Sequence, residues 1–211
     1  MRNKKILHQP QTLLIGTSNP GKFREITEIL SGLALKFIMP RDLKIKDAPH
    51  ESGSNYEENA KIKAKFFHKK TGLNVLAEDS GIEVDHFQGE LSHQTRRWGK
   101  GASASDKKWL LHFLKQMEKV PMSKRTARFC CCAALIRNNR LHIFHGTCRG
   151  HIMHKPEAPI LEGLPLSSCF KPIGCKKVYA ALSTHEKNAI SHRGKAISKV
   201  RKFLIDFLVS G

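Results

Sequence analysis

Apolar residues along this chain recur at two spacings, one that marks strands and one that marks helices. Leu13-Leu14-Ile15 lies in a short apolar run over Thr12–Thr17, read as a buried strand that ends in the small-residue turn Gly16-Thr17-Ser18-Asn19-Pro20-Gly21-Lys22. Behind the turn, Phe23, Ile26 and Leu30 repeat at helical spacing, with Asn19 as N-cap and Pro20 at the first helical position. Leu35–Met39 reads as a short strand, and Pro40–Gly53 as a charged loop. Ser54 with Glu57 three residues on has the form of a capping box, and the helix behind it places Tyr56, Ala60, Ala64 and Phe67 on one side.

Asn74–Ala77 reads as a strand that stops at the turn Glu78-Asp79-Ser80-Gly81, with extended structure resuming over Ile82–Val84. Gly89–Ser105 is a polar loop, and Asp106–Met117 a helix with Leu110, Leu111 and Leu114 inward. Arg128–Ile136 and Leu141–Cys148 form a hairpin around Asn138-Asn139. A Pro/Gly-rich segment over Pro156–Gly174 follows, then a last helix carrying Ile197, Val200, Leu204 and Leu208. The hairpin must be antiparallel, so the alternation of strands and helices predicts an α/β protein with a mixed sheet. Residues 1–11 are read as a basic N-terminal extension, and residues 12–211 as a single domain.

Composition changes this picture in three places. No apolar run reaches the length of a membrane span, so no membrane partner is expected and the cytoplasm is the default compartment. Six cysteines include Cys130-Cys131-Cys132, whose neighbours point to opposite faces of a strand; with no C-x-x-C pair, they read as reduced core residues rather than a zinc site. The net charge is +19, and from Lys171 onward nine Lys/Arg face only Glu186 and Asp206. Such an excess requires polyanionic partners, either phosphate-bearing small molecules or, non-specifically, nucleic acid.

Three segments carry candidate chemistry. Gly16 and Gly21 let backbone approach an anion closely, Thr17, Ser18 and Asn19 add short polar groups, and Lys22 adds a charge at a helix start that already favours anions. Glu78 and Asp79 follow an apolar strand, and Glu51 lies in the preceding loop. Magnesium takes one or two carboxylates with phosphate oxygens, and a carboxylate also accepts the proton of an attacking water. Lys187, His192 and Arg193 are dense in donors, but the five-residue step from Lys187 to His192 brings them together only if the chain turns near Ser191, which would then cap the last helix.

Taken in order, Thr17–Lys22 with Arg24-Glu25, Glu51-Ser52-Gly53, Glu58-Asn59-Ala60 with Lys63-Ala64, Glu78–Gly81 with Glu83-Val84-Asp85, and Glu186–Gly194 resemble the inosine triphosphate pyrophosphatase family. The resemblance implies an elongated α/β fold of two lobes around a central cleft, a homodimer, and magnesium-dependent hydrolysis of deaminated purine nucleoside triphosphates to monophosphate and pyrophosphate. It implies that Thr17, Ser18, Asn19, Gly21 and Lys22 bind the triphosphate. Glu51 helps hold Mg2+, with Glu78 and Asp79 as further metal candidates, and Asp79 serves as proton acceptor or ligand. Ser80, Lys187, His192 and Arg193 bind substrate.

Two loops depart from the family pattern. Gly163-Leu164-Pro165-Leu166-Ser167-Ser168-Cys169-Phe170 stands where the family has Gly-Phe-Gly-Tyr-Asp-Pro-x-Phe, so the aromatic that stacks on the purine is replaced by Leu164 and a carboxylate by Ser167. Gly89–Arg97 keeps only its first glycine and last arginine of Gly-Ala-Pro-Gly-x-x-Ser-Ala-Arg. The expectation is reduced activity with weak discrimination among bases. The alternative is a non-catalytic protein that keeps the fold and binds nucleotides or RNA.

Overall fold

The computed structural model describes residues 11–95, 98–99 and 103–209. Residues 1–10 of the basic extension, and Arg97 of the altered 89–97 loop, lie outside the described residues. Six strands form one mixed sheet in the order β2-β1-β3-β4-β5-β6. β1 (Gln11–Ile15) pairs in parallel with both β2 (Leu35–Ile38) and β3 (Asn74–Val84). From β3 onward, β4 (Thr126–Arg137), β5 (Arg140–Ile152) and β6 (Phe170–Pro172) run antiparallel to their neighbours. Asn138 and Asn139 join β4 to β5 with both backbones in the left-handed region (φ 49° and 60°), the two-residue turn that matches strand twist.

Helices α1 (Pro20–Ile29) and α5 (His192–Val209) cover one face of the sheet, where Ile26, Leu30, Ile197, Val200 and Leu204 pack on Leu13, Ile15, Leu76, Cys131 and Ala133. Helix α2 (Tyr56–Thr71) covers the other through Ala60, Ala64 and Phe67, against Leu14, Val75, Ala77, Cys132 and Ala134. Cys131 and Cys132 thus do fall on opposite faces. A further core forms where β3 to β5 run on beyond β1. Trp109, Leu110 and Phe113 of α3 (Asp106–Gln116) meet Ile82, Val84, Phe170 and Tyr179 there. In that core the buried Arg125 donates to the carbonyls of Met117, Val120, Ile152 and Met153, which satisfies its donors without a carboxylate. The cores on the two faces of the sheet and the core beyond β1 correspond to the two lobes that the resemblance implies.

Local expectations fail at three points. Leu111 is 54% exposed, and Trp109 and Phe113 take the inward positions of α3 with Leu110 and Leu114. Asn55, not Ser54, caps α2: its side chain accepts from the Glu58 amide, while the Ser54 amide and hydroxyl donate to the Glu58 carboxylate. β3 does not stop at Ala77. It runs unbroken through Glu78-Asp79-Ser80-Gly81 to Val84, so the acids lie mid-strand rather than in a turn. A buried strand carries two acids only where cations reach them, and the site supplies those cations.

Candidate active site

β1 pairs with β3 only over Asn74, Val75 and Leu76, after which the chain leaves β1 at Gly16, whose amide donates to the Leu76 carbonyl at 2.8 Å. β4 accompanies β3 to Val84, so the turn after β1 opens beside the middle of β3. A cleft of about 640 Å³ lies at this point. Thr17, Ser18, Asn19, Lys22, Glu51, Glu78, Asp79, Ser80, Lys187, His192 and Arg193 all line it, although they come from five separate stretches of chain.

The turn is shaped by its own side chains. The Thr17 hydroxyl accepts from the Asn19 backbone amide at 3.1 Å, and the Asn19 side-chain oxygen Oδ1 caps α1 by accepting from the Lys22 amide at 3.1 Å. The Asn19 amide group also donates to the Gly163 carbonyl at 3.0 Å, which ties the turn to the opposite lobe. Gly21 does not line the cleft. A Cβ there would sit 2.7 Å from the Glu162 carbonyl and 3.0 Å from the Leu164 side chain, so Gly21 lets the 162–164 strap pass over the start of α1. Gly163 in turn donates its amide to Asp106 at the start of α3, at 2.7 Å.

Alternation along β3 sends Glu78 and Ser80 to the α1/α5 face and Asp79 to the α2 face. On the first face, Lys22 Nζ meets Glu78 at 2.6 Å, and Arg193 lies 3.6 Å from the second Glu78 oxygen. Arg193 also binds Glu25 and donates to the Ser80 hydroxyl at 2.9 Å; Lys187 binds the other Glu25 oxygen. Three cations thus surround two buried carboxylates. Burial alone would raise the Glu78 pKa, but Lys22, Arg193 and Lys63 overcome it and hold the carboxyl well below the usual range. Glu25 is likewise held ionised: burial raises it, and Arg193 and Lys187 outweigh that.

On the second face, Lys63 Nζ lies 2.7 Å from Asp79 and 3.2 Å from Glu51, and the Asn59 amide group donates to Asp79 at 3.4 Å. The Asn59 side-chain oxygen Oδ1 accepts from the Gly53 amide at 2.9 Å, fixing the loop that carries Glu51. Two carboxylates meet around one ammonium at the edge of the cleft. Hard oxygen donors of this kind fit magnesium. Glu78 does not join them: its oxygens are taken up on the far side of the strand by Lys22 and Arg193, contrary to the expectation that it belongs to the metal set.

The Ser191 break that the Lys187–His192 spacing requires is present. α4 (Thr184–Ile190) ends there, Ser191 is extended, and its hydroxyl accepts from the Gly194 amide at 2.9 Å as α5 begins. Gly146 of β5 seats that start, because a Cβ there would lie 2.1 Å from the His192 carbonyl. The His192 ring stacks on Phe129, with centroids 4.6 Å apart and planes at 13°. Tyr179 lies near-parallel beside both rings, 5.9 Å from Phe129 and 6.2 Å from His192. Sequence reasoning assigned no role to Glu25, Lys63 or Asn59, yet each holds a cleft residue in place. The signal was available: Asn59 and Lys63 lie on the buried stripe of α2 among Tyr56, Ala60, Ala64 and Phe67, where a polar residue requires a buried partner.

Burial first, then Arg193, push the His192 pKa well below its usual range, so the ring is neutral in the folded chain. The unfolded chain protonates this histidine near pH 6.5, whereas the folded chain does so only at lower pH, so stability rises with pH across that window. Below about pH 6.5 this group therefore removes stability at up to about 1.4 kcal/mol per pH unit, and Glu25 and Glu78 add to the loss only below the ordinary carboxylate range. Urea midpoints measured from about pH 7.5 down to about 5.5 should fall for the wild type and fall distinctly less for His192→Gln. Parallel profiles for the two proteins would contradict the assignment.

Known proteins can be set beside this geometry. The model of the Ham1 family matches residues 13–203. A protein of Dictyoglomus thermophilum named dITP/XTP pyrophosphatase is 36% identical over 202 residues, 94% of this chain and 97% of that protein. One of the same name from Yersinia pseudotuberculosis is 33% identical over 201 residues, covering 94% and 98%. The structure of a HAM1 protein from Coxiella burnetii superposes with a TM-score of 0.79 at 31% identity, covering 93% of this chain and 99% of that one.

Proposed function

We propose, for a chain that belongs to the Ham1 family, the hydrolysis of nucleoside triphosphates to the monophosphate and pyrophosphate. The observation that carries the reading is the meeting of two charge clusters across one strand: Lys22, Lys187 and Arg193 on one face of β3, and Glu51 with Asp79 around Lys63 on the other, both open to the same cleft. Thr17, Ser18, Asn19 and Lys22 hold the triphosphate, with Gly21 permitting the turn's packing. Ser80, Lys187, His192 and Arg193 complete the substrate contacts. Glu78 fixes the Lys22 ammonium toward the phosphates.

Asp79 accepts the proton of the attacking water, oriented for this by Lys63 and Asn59. Glu51 and Asp79 would hold magnesium, which supplies charge neutralisation on the phosphate oxygens when bound. Lys22 and Arg193 stabilise the charge that shifts to the leaving pyrophosphate, in a site where fixed cations need no reorganisation. The substrates are read as deaminated purine nucleotides, from the names of the relatives. Residues 12–211 are proposed as one catalytic domain that works as a cytoplasmic homodimer. No helix of the described residues is long and apolar enough to cross a membrane. The RNA-binding alternative raised by the charge is not favoured, because the relatives that cover nearly all of this chain are named as pyrophosphatases.

Pyrophosphate release over the common and deaminated nucleoside triphosphates, with and without magnesium, tests the reading; no release from any of them would overturn it. The base end gives a finer expectation. Leu164 lines the cleft where the family pattern has a stacking aromatic, so flat rings in that pocket gain little specific contact from this loop. Wild-type protein should favour inosine over adenosine triphosphate only weakly. Leu164→Phe should raise kcat/KM for both by about threefold to tenfold, the worth of one aromatic contact. Strong wild-type discrimination, or an unchanged kcat/KM in the variant, would contradict it.

A further inference from the structure

On the α2 face of the sheet, away from the roles assigned above, Glu57, Cys132 and His145 converge. One carboxylate oxygen, the sulfur and one imidazole nitrogen lie within 4.8 Å of one another. The grouping comes from three elements. Cys132 of β4 and His145 of β5 are direct cross-strand partners, and Glu57 stands in the first turn of α2, which packs across them. His145 Nε2 is 3.1 Å from Glu57 Oε2, while Lys61, one turn further along α2, takes Oε1 at 2.5 Å. The carboxylate is thus shared in such a way that Oε2 faces the imidazole.

We propose that these three side chains form a binding site for a zinc-class divalent cation. Thiolate, imidazole and carboxylate together are a borderline-soft donor set that suits zinc and is poorly matched to magnesium. In tetrahedral zinc, ligand atoms stand about 3.3–3.6 Å apart, given metal–ligand distances of about 2.0–2.3 Å. The nitrogen–oxygen edge, at 3.1 Å, is slightly shorter than this, and the sulfur lies within 4.8 Å of both atoms, so small side-chain adjustments would seat an ion. The Cys132 side chain is buried, but those of His145 and Glu57 are 58% and 38% exposed, so an ion enters from solvent past them. Binding replaces the Cys132 S–H bond by a sulfur–metal bond and releases the proton to solvent, and water completes the fourth position. Spacing rules could not find the site, because 57, 132 and 145 are adjacent only in the fold.

The test uses the full chain, reduced and stripped with chelator, titrated with cobalt(II) as the spectroscopic probe. The expected result is one equivalent bound per chain, with a sulfur-to-cobalt charge-transfer band that zinc displaces and magnesium does not. Cys132→Ser and His145→Ala should each lose the band, while Cys175→Ala, which removes the least buried cysteine, keeps it. Because His145 lies at the surface, its variant stays folded and separates ligation from core packing. Zinc should also raise the thermal midpoint of the wild type but not of His145→Ala. Cobalt binding without the sulfur band, a band that survives in Cys132→Ser, or a midpoint unmoved by zinc would overturn the proposal.

Discussion

Asp79→Asn should lower kcat for pyrophosphate release by about 10²–10⁴-fold, the usual worth of a positioned general base, while the protein stays folded. The asparagine has the same shape, so packing within β3 is unchanged. Its amide can take neither a proton from water nor the place of an anionic ligand. Lys63 keeps Glu51 at 3.2 Å, so its ammonium is not left without a carboxylate. The thermal midpoint should move by a few degrees at most. Glu78→Gln makes an informative companion, because Glu78 faces the other side of the strand. Removing that charge loosens Lys22 and should raise KM more than it lowers kcat. Activity of Asp79→Asn within a few-fold of wild type would remove Asp79 from the chemistry.

Arg193→Met should cost about 3–5 kcal/mol of stability, read as a lower urea midpoint, because it leaves buried carboxylates short of a cation. Arg193 is 3% exposed and bridges Glu25, Glu78 and Ser80 through one planar fork. Lys187 and Lys22 remain on the two acids, which places the loss toward the lower end of that range. Arg193→Lys keeps the charge but cannot span three acceptors, and should recover only part of the loss. Adding Glu25→Gln to Arg193→Met should not recover the loss, since Lys187 still pairs with Glu25 and would itself lose that carboxylate. A loss below about 1 kcal/mol would mean that the network does not hold the start of α5.

Much of this arrangement was legible in the residues. Asn19-Pro20 marks the start of α1 and Asn138-Asn139 the β4–β5 turn, because each depends only on neighbours in sequence. The break at Ser191 followed from one geometric requirement, that Lys187 and His192 share a site. From local sequence the acidic pair reads as a turn, because nothing local neutralises it. The cations that allow β3 to continue through Glu78 and Asp79 come from Lys22, Lys63 and Arg193, distant in sequence. For the same reason Glu78 and Asp79 look like one group in the sequence, although the strand separates them by face. The shift of the α2 cap from Ser54 to Asn55 was hidden because both residues are good caps. It places Glu58 on Ser54 and leaves Glu57 to face His145. Leu111 reads as inward because three leucines in α3 look equivalent until Trp109 and Phe113 occupy the core.

The central claim is that cations on one side of β3 and carboxylates on the other act on a single triphosphate in the shared cleft. Product analysis of inosine triphosphate incubated with the chain and magnesium tests it most directly. Equal amounts of monophosphate and pyrophosphate, with both lost in Asp79→Asn, are the predicted result; diphosphate with orthophosphate, or substrate left intact, would contradict it.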